Sequence, residues 1–409
     1  MPCFQEAEVL LPELADLRPW AVIACDQFTS QPEYWEETER IAGEGPSALR
    51  LILPEVYLDQ NAGEKIAGIQ KNMHAWLQDG LFHAYPDCFV YTERRMESGI
   101  CRRGVVGMVD LEAYDYTGRE DASVRATEET VTERIPPRMA IRRDAPLELP
   151  HILLLCNDAE RKVIEPLEAM KESLPQLYDF ELMQHGGHIR GWLVAGENAA
   201  ALRERLKEYE QAERKRHPQA RLVYAVGDGN HSLATAKACY EERKRLHPEM
   251  DFSRHPSRYA LCELNNIHDP DQRFEPIHRV VKDCDAALLL QDAQKTLNVP
   301  GGTAVPWISE GKRGTLYLPK DGNALALSHL QGFLDEWLCT HSGTLDYIHG
   351  EKALSALADH ANTVGFLLPA IEKESLFPGI LHRGTLPRKT FSMGEAEEKR
   401  YYLEARRIL

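Results

Sequence analysis

The run Gly227-Asp228-Gly229-Asn230-His231-Ser232 holds the residue types best suited to chemistry in this 409-residue chain. Two glycines let a backbone turn tightly and approach a ligand closely. A helix starting there would point its first N–H groups outward, with the positive end of its dipole behind them. That arrangement suits a phosphate or a carboxylate. Asp228 adds a carboxylate able to hold a magnesium ion or to accept a proton, and His231 can donate to an anion or act as acid or base. The same residues also make an ordinary turn, because Asp-Gly-Asn favours turns and Asn or Ser caps helices. No GxxxxGK[ST] and no GxGxxG occurs in the chain, so neither a P-loop nor a Rossmann phosphate loop is indicated.

The elements that must position this turn are visible on both sides of it. Residues 222–226 form a β-rich run that stops at Gly-Asp-Gly. A helix is expected over 232–246, with Leu233, Ala236 and Tyr240 on one buried face. From His151 onward the pattern alternates: strand 152–155, helical spacing over 161–171, strand 189–194, a long charged helix over 199–214, and a strand over 259–264 after the turn helix. This is the alternation of an α/β fold with some parallel pairing. The first 150 residues are less regular. A strand is expected near 20–25, and a helix through Tyr34, Trp35 and Thr38 capped by Thr29 or Ser30. A helix over 65–77 and strands over 89–92 and 105–111 follow, and Pro136 and Pro137 should break any helix. The last hundred residues suggest a strand pair within 314–327, a helix through Phe333 and Trp337, a turn at Asp346-Tyr347-Ile348-His349-Gly350, a helix over 351–360 and a strand over 364–368. Three segments result: 1–150, mixed α/β and contributing to the site; 151–300, an α/β core with the turn; and 301–409, an α/β segment packing back on that core.

Composition narrows the function class. With 43% hydrophobic and 27% charged residues the chain reads as ordinary globular protein. A net charge of -16 and the lack of a basic block argue against nucleic acid as partner. No window approaches the roughly 20 apolar residues of a membrane span, and the N-terminus has no basic flank or apolar stretch of a secretory signal. The nine cysteines form no CxxC pair, which fits a reducing cytoplasm.

Other residues could join the turn. Asp26 lies just past a strand, beside Gln27 and Thr29, and could deprotonate a hydroxyl or bind metal; Glu33 is a second acidic candidate. Glu263, Asn265 and Asn266 follow a strand, where sites of open α/β sheets gather. His278-Arg279 could reach the same cleft, and His349 precedes Gly350 and a helix start. His185-Gly186-Gly187-His188 offers too few ligands for a metal. Cys25 is no expected nucleophile, because the Asp26 carboxylate disfavours its thiolate.

The turn, followed by its small-residue helix, resembles the hallmark of the bacterial family known as domain of unknown function 1015. Matching stretches are Ala24-Cys25-Asp26-Gln27-Phe28-Thr29-Ser30, Arg125-Ala126-Thr127-Glu128, Ile135-Pro136-Pro137-Arg138, Glu275-Pro276-Ile277-His278-Arg279, Asp346-Tyr347-Ile348-His349-Gly350 and Pro387-Arg388-Lys389. The turn is also similar, at greater distance, to the partition-protein/sulfiredoxin-like fold, which includes free-serine kinases. There a related turn opens a helix and holds nucleotide phosphates. This chain has Ser232 or Leu233 where those proteins carry Arg, so either the donor differs or a cationic clamp on phosphate comes from elsewhere, with Arg125, Arg134, Arg138, Arg279, Arg388 and Lys389 as candidates. The resemblance implies a phosphotransferase acting on a small hydroxylated metabolite, with L-serine to O-phosphoserine foremost and ATP, ADP or pyrophosphate as donor. On that reading the turn at Gly229, Asn230, Ser232 and Leu233 cradles phosphate. Asp228 with Mg²⁺ organises the donor, His231 stabilises developing charge, and Asp26 or Glu33 acts as base. Arg125, Thr127, Arg138, His278, Arg279, His349, Arg388 and Lys389 complete the anion pocket. A phosphatase for the same metabolite and a non-catalytic nucleotide- or metabolite-binding regulator are the alternatives. The partner is a small molecule, and the oligomeric state is open, with a homodimer as one option.

Overall fold

The computed structural model describes residues 2–58, 61–320 and 326–409. The chain forms two compact units. The first comprises Met1–Ala126, Thr130–Gln272 and Ala396–Leu409, and the second comprises Thr127–Glu129 and Arg273–Glu395.

The first unit is built on an eleven-stranded mixed sheet. Its strands run in the order Gln176–Glu181, His188–Val194, Phe82–Arg95, Cys101–Asp110, Tyr259–Asn266, Leu153–Cys156, Tyr224–Asp228, Val124–Ala126 and Tyr114–Asp115. Phe4–Gln5 and Ala7–Pro12 pair beside this path. The hairpins at one end are antiparallel. Tyr259–Asn266 beside Leu153–Cys156 and Tyr224–Asp228 beside Val124–Ala126 are parallel pairs. Side chains alternate faces along a strand. Val90, Val106 and Leu261 accordingly join one core with Trp20, Trp35 and Ile52, while Phe89, Val105 and Cys262 join another with Tyr209, Leu233 and Tyr240. The fold is mixed α/β, as the alternation of elements indicated. Leu233, Ala236 and Tyr240 share the buried face of the helix Asn230–Leu246, in line with their spacing.

The second unit is antiparallel in its main sheet, ordered Lys312–Leu318, Thr303–Ser309, Val364–Phe366, Glu275–Lys282 and Thr344–His349, with Phe391–Ser392 pairing onto Pro276 and Glu275. Helices Ala286–Leu297 and Ala326–Leu338 close a core of Val281, Leu289, Val305, Leu334, Trp337 and Phe366.

Several local expectations are corrected. Pro136 and Pro137 do not break a helix; they sit in the first turn of one, Ile135–Arg142, where a missing N–H costs nothing and the fixed φ suits the helix. The helix Pro32–Ala42 is preceded by Gln31 without a side-chain cap, so neither Thr29 nor Ser30 plays that part. Residues 346–349 are strand rather than turn, because Thr344–His349 pairs along Glu275–Lys282. The strand pair expected within 314–327 lies further upstream, at Thr303–Ser309 and Lys312–Leu318, and residues 321–325 of that expectation lie outside the described residues. Over 161–171 only Glu165–Met170 is α-helical. No helix among the described residues is long and apolar enough to cross a membrane.

Candidate functional site

At the end of the strand Tyr224–Asp228 the chain turns into the helix Asn230–Leu246 through Gly229, whose φ of 78° is left-handed. Only glycine enters that region without strain. A Cβ there would also lie 3.0 Å from Ile152 Cα, so two separate constraints select glycine. No side chain caps the helix; instead the Asp228 Oδ1 accepts the Gly229 N–H at 2.9 Å. The helix thus begins two residues earlier than the pattern suggested and includes Asn230 and His231.

The other Asp228 oxygen, Oδ2, lies 3.0 Å from the Lys399 ammonium. Lys399 arrives on the segment Ala396–Leu409, and a set of buried arginines fixes that segment. Arg94 donates to the carbonyls of Glu397 (2.6 Å), Glu398 (3.1 Å) and Lys399 (2.5 Å), and to Gly186 O (2.9 Å). Arg102 adds a bond to Glu398 O at 3.0 Å. Arg400 forms ion pairs of 2.7 Å with both Glu263 and Glu404. Tyr401 and Tyr402 pair with Ile23 and Val22, which places this segment beside Asp26.

Asp26 Oδ2 stands 3.7 Å from His151 Nε2, and Oδ1 accepts from the Gln27 amide at 2.9 Å. Burial alone would raise the Asp26 carboxyl. The charge and hydrogen bond of His151, the Gln27 amide and the charge of Lys399 outweigh it and hold the group well below the usual carboxylate range. His151 in turn meets Ser232 Oγ at 3.5 Å through Nε2 and the Tyr402 hydroxyl at 2.7 Å through Nδ1. The Tyr402 hydroxyl donates to Cys25 Sγ at 3.1 Å. Burial and the Asp26 charge push the Cys25 thiol up to about 12, so it is no nucleophile at neutral pH. Asp26, His151, Asp228, Ser232 and Lys399 therefore form one cluster at the start of a helix, drawn from four distant stretches of chain.

A cavity of about 130 Å³ opens beside this cluster, lined by His151, Ser232 and Tyr402 together with largely aliphatic side chains. Two arginines line it as well. Arg138 is ion-paired with Glu55, and Arg142 lies 2.5 Å from Glu148.

The remaining expected residues fall into different places. His231 follows Asn230 in the first helical turn, and its Nε2 accepts the Val131 N–H at 3.2 Å, which ties the 131 loop to the helix. Glu33 is exposed in the first turn of its helix. Arg125, 1% exposed, donates from Nε and Nη2 to the carbonyls of Ala122, Glu120 and Ala220, a buried clamp within the sheet edge, while its Nη1 is buried without a hydrogen-bond partner among the described residues. Thr127, His278, Arg279, His349, Arg388 and Lys389 belong to the second unit. There Arg279 is fully buried and donates to Gln331 Oε1, Ile277 O, Lys389 O and Arg388 O while stacking on Tyr347, so four of its five N–H groups are used internally. His278 Nδ1 accepts the Leu368 N–H at 3.1 Å, and burial lowers its pKa, which marks it as a neutral structural imidazole. Thr127 O accepts the Leu386 N–H at 2.7 Å. His349 is exposed at the end of its strand. Arg388 and Lys389 are exposed, with the Lys389 N–H held by Glu128. Glu263, Asn265 and Asn266 lie within a buried strand rather than a turn, and Glu263 anchors Arg400.

The expected magnesium ligand does not fit a resident ion. Asp228 has both oxygens engaged, one by Lys399 and one by a backbone N–H, and no group of three His, Cys, Asp or Glu among the described residues could hold a metal. Sequence reasoning missed His151, Lys399 and Tyr402. The signal available was the basic-aromatic run Lys399-Arg400-Tyr401-Tyr402, whose buried environment only the fold reveals.

Comparisons with known proteins bear on the fold. The family model described as "Protein of unknown function (DUF1015)" matches residues 10–405. No curated protein sequence matches the chain. Among solved structures, a free serine kinase in complex with AMP is similar at 11% identity and a TM-score of 0.39, over 72% of this chain and 90% of that one. SbnI with a C-terminal truncation, from Staphylococcus aureus, is similar at 12% identity and a TM-score of 0.36, over 70% and 81%. A conserved hypothetical protein from Pyrococcus furiosus is similar at 11% identity and a TM-score of 0.35, over 72% and 90%.

Proposed function

The chain belongs to the DUF1015 family of proteins of unknown function, and we propose that this member is a phosphotransferase acting on a hydroxyl group of a small metabolite. One observation carries the reading. A carboxylate held ionised (Asp26) and a lysine ammonium (Lys399) meet at the N-terminal turn of a helix, within one unit. Phosphoryl transfer asks mainly for positioning and charge neutralisation. The first helical turn, Asn230 to Ser232, cradles the phosphoryl group with its N–H groups and dipole. Lys399, oriented by Asp228, neutralises charge on the transferring oxygens. Asp26, oriented by His151 and Gln27, accepts the hydrogen bond of the attacking hydroxyl. Its depressed pKa makes it a weak base, which suffices for a loose transition state in which little proton transfer precedes bond formation. Magnesium belongs to the phosphoryl donor, whether ATP, ADP or pyrophosphate, rather than to the protein.

Phosphorus NMR of the full chain with Mg²⁺, a hydroxylated acceptor and each donor in a separate tube tests the reading. L-serine, the substrate named for the free serine kinases, is the first acceptor to try. A new phosphomonoester signal in one donor tube, lost in Lys399→Ala and in Asp26→Asn, is the expected result. Release of free phosphate from O-phosphoserine without any donor would replace the kinase with a phosphatase. Stoichiometric nucleotide binding without turnover across an acceptor panel would replace it with a regulator.

A further inference from the structure

We infer that the acceptor carries an uncharged, apolar body of about one ring's size beside its hydroxyl, held in the cavity next to Asp26 and His151. This rests on the phosphotransferase reading and narrows its substrate.

The cavity measures about 130 Å³. An apolar cavity of roughly 150 Å³ stays dry and takes up benzene, so the space fits a single ring or a branched chain of similar bulk. Its walls are Leu51, Ile52, Leu53, Met73, Leu147 and Leu149, among other aliphatic groups. The charged groups that reach it are paired with one another. Arg138 pairs with Glu55 and Arg142 with Glu148. The Glu148 carboxylate is further held by Arg406 and the Leu261 N–H. Thr235 Oγ1 donates to His231 O, and the Tyr402 hydroxyl and His151 Nδ1 hold each other. An ammonium or a carboxylate entering here would have to displace one of these partners. Free serine would bring both into this space, and buried charge without a partner is strongly disfavoured. A purine would leave its ring nitrogens unpaired, at about tenfold in affinity for each. Each methylene placed against these walls tightens binding by about fourfold. The hydroxyl meanwhile remains within the cluster, because His151 and Ser232 line the cavity and also face Asp26 and the helix turn.

Saturation-transfer NMR on the full chain, without donor, measures this directly with benzyl alcohol, 3-methylbutan-1-ol, ethanol, L-serine and adenosine as probes. Benzyl alcohol and 3-methylbutan-1-ol should bind more than tenfold tighter than ethanol or L-serine, and adenosine should not displace them. Ala145→Phe, which fills the cavity, should abolish their binding while thermal melting stays cooperative. Leu53→Phe fills it from another wall and covers the case in which the first variant fails to fold. L-serine or adenosine displacing benzyl alcohol overturns the inference, as does equal binding of benzyl alcohol to the protein and both filled variants. Phosphoryl transfer to L-serine without benzyl alcohol binding would overturn it and leave the phosphotransferase standing. Selective binding of the apolar alcohols with no phosphoryl transfer to any of them would overturn their role as acceptors and the phosphotransferase with it.

Discussion

Replacing Arg94 by Met tests whether the segment carrying Lys399 is held as the geometry indicates. Arg94 is 3% exposed, and its guanidinium serves four carbonyl oxygens, three of them on the consecutive residues Glu397, Glu398 and Lys399. Met keeps much of the aliphatic bulk and offers no donor. Each buried acceptor left unsatisfied costs about 1–3 kcal/mol. Four such costs do not simply add, because the freed carbonyls share one site that water can enter, so the expected loss is about 3–5 kcal/mol, the range for breaking a buried charged network. Against a total of about 5–15 kcal/mol the protein stays folded. The loss should be local first. The Ala24 N–H, bonded to Arg400 O at 3.0 Å, and the Leu10 N–H, bonded to Ala405 O at 2.8 Å, should exchange with deuterium faster than the Glu263 N–H in the central strand. Turnover should fall by about a hundredfold, since a displacement of about 1 Å at Lys399 is enough for that. Hydrogen-exchange mass spectrometry and urea unfolding give the two readouts. If the Ala24 and Leu10 amides keep their protection while global stability drops, the clamp is only a core contact and the reasoning fails.

Three further outcomes are expected. Gly229→Ala should cost about 2 kcal/mol in urea unfolding, from the left-handed backbone and the 3.0 Å approach of Ile152 Cα, whereas Gly99→Ala, left-handed but open to solvent, loses only the backbone part. The lowered Asp26 carboxyl contributes stability that is present above the ordinary carboxylate range and lost as pH falls through its folded value. Asp26→Asn should therefore be less stable than the parent at neutral pH and approach it in acid; a constant difference across pH would refute the pairing with His151 and Lys399. For His278 the unfolded chain binds the proton more readily than the folded one, so stability is complete above about 6.5 and declines as pH drops below that. His278→Asn offers its own oxygen to the Leu368 N–H, and pH titration of thermal melting should show a flatter acid limb.

The turn was legible in sequence because composition switches there abruptly, from Leu222-Val223-Tyr224-Ala225-Val226 to small helical residues, with two glycines at the joint. The spacing of Leu233, Ala236 and Tyr240 likewise specified the buried helix face. The partners of the turn were not legible. His151 follows Pro150 with no pattern around it, and Lys399 sits in a charged run that reads as surface. Lys399 owes its position to Arg94, which holds carbonyls far along the chain, and His151 meets the equally distant Tyr402. Arg125 and Arg279 show the converse. An arginine written beside Thr or His in sequence looks the same whether its fork faces a ligand or a row of carbonyls, and here it faces carbonyls. Pro136 and Pro137 were misplaced for a related reason: proline ends a helix or begins one, and only the direction of the following chain decides which.

The order in which the chain is made follows from the way the first unit is divided. A ribosome that has passed Gln272 has already released Asp26, His151 and Asp228, yet the whole of Arg273–Glu395 must emerge before Lys399 does. Until then Asp228 faces solvent without its lysine, and the strand Val22–Ile23 lacks its partner Tyr401–Tyr402. The nascent protein therefore passes through a long interval with a nearly complete sheet and an unfinished centre. Closure of that centre is a late, long-range event, slow by loop-closure entropy and delayed until the intervening unit has been synthesised.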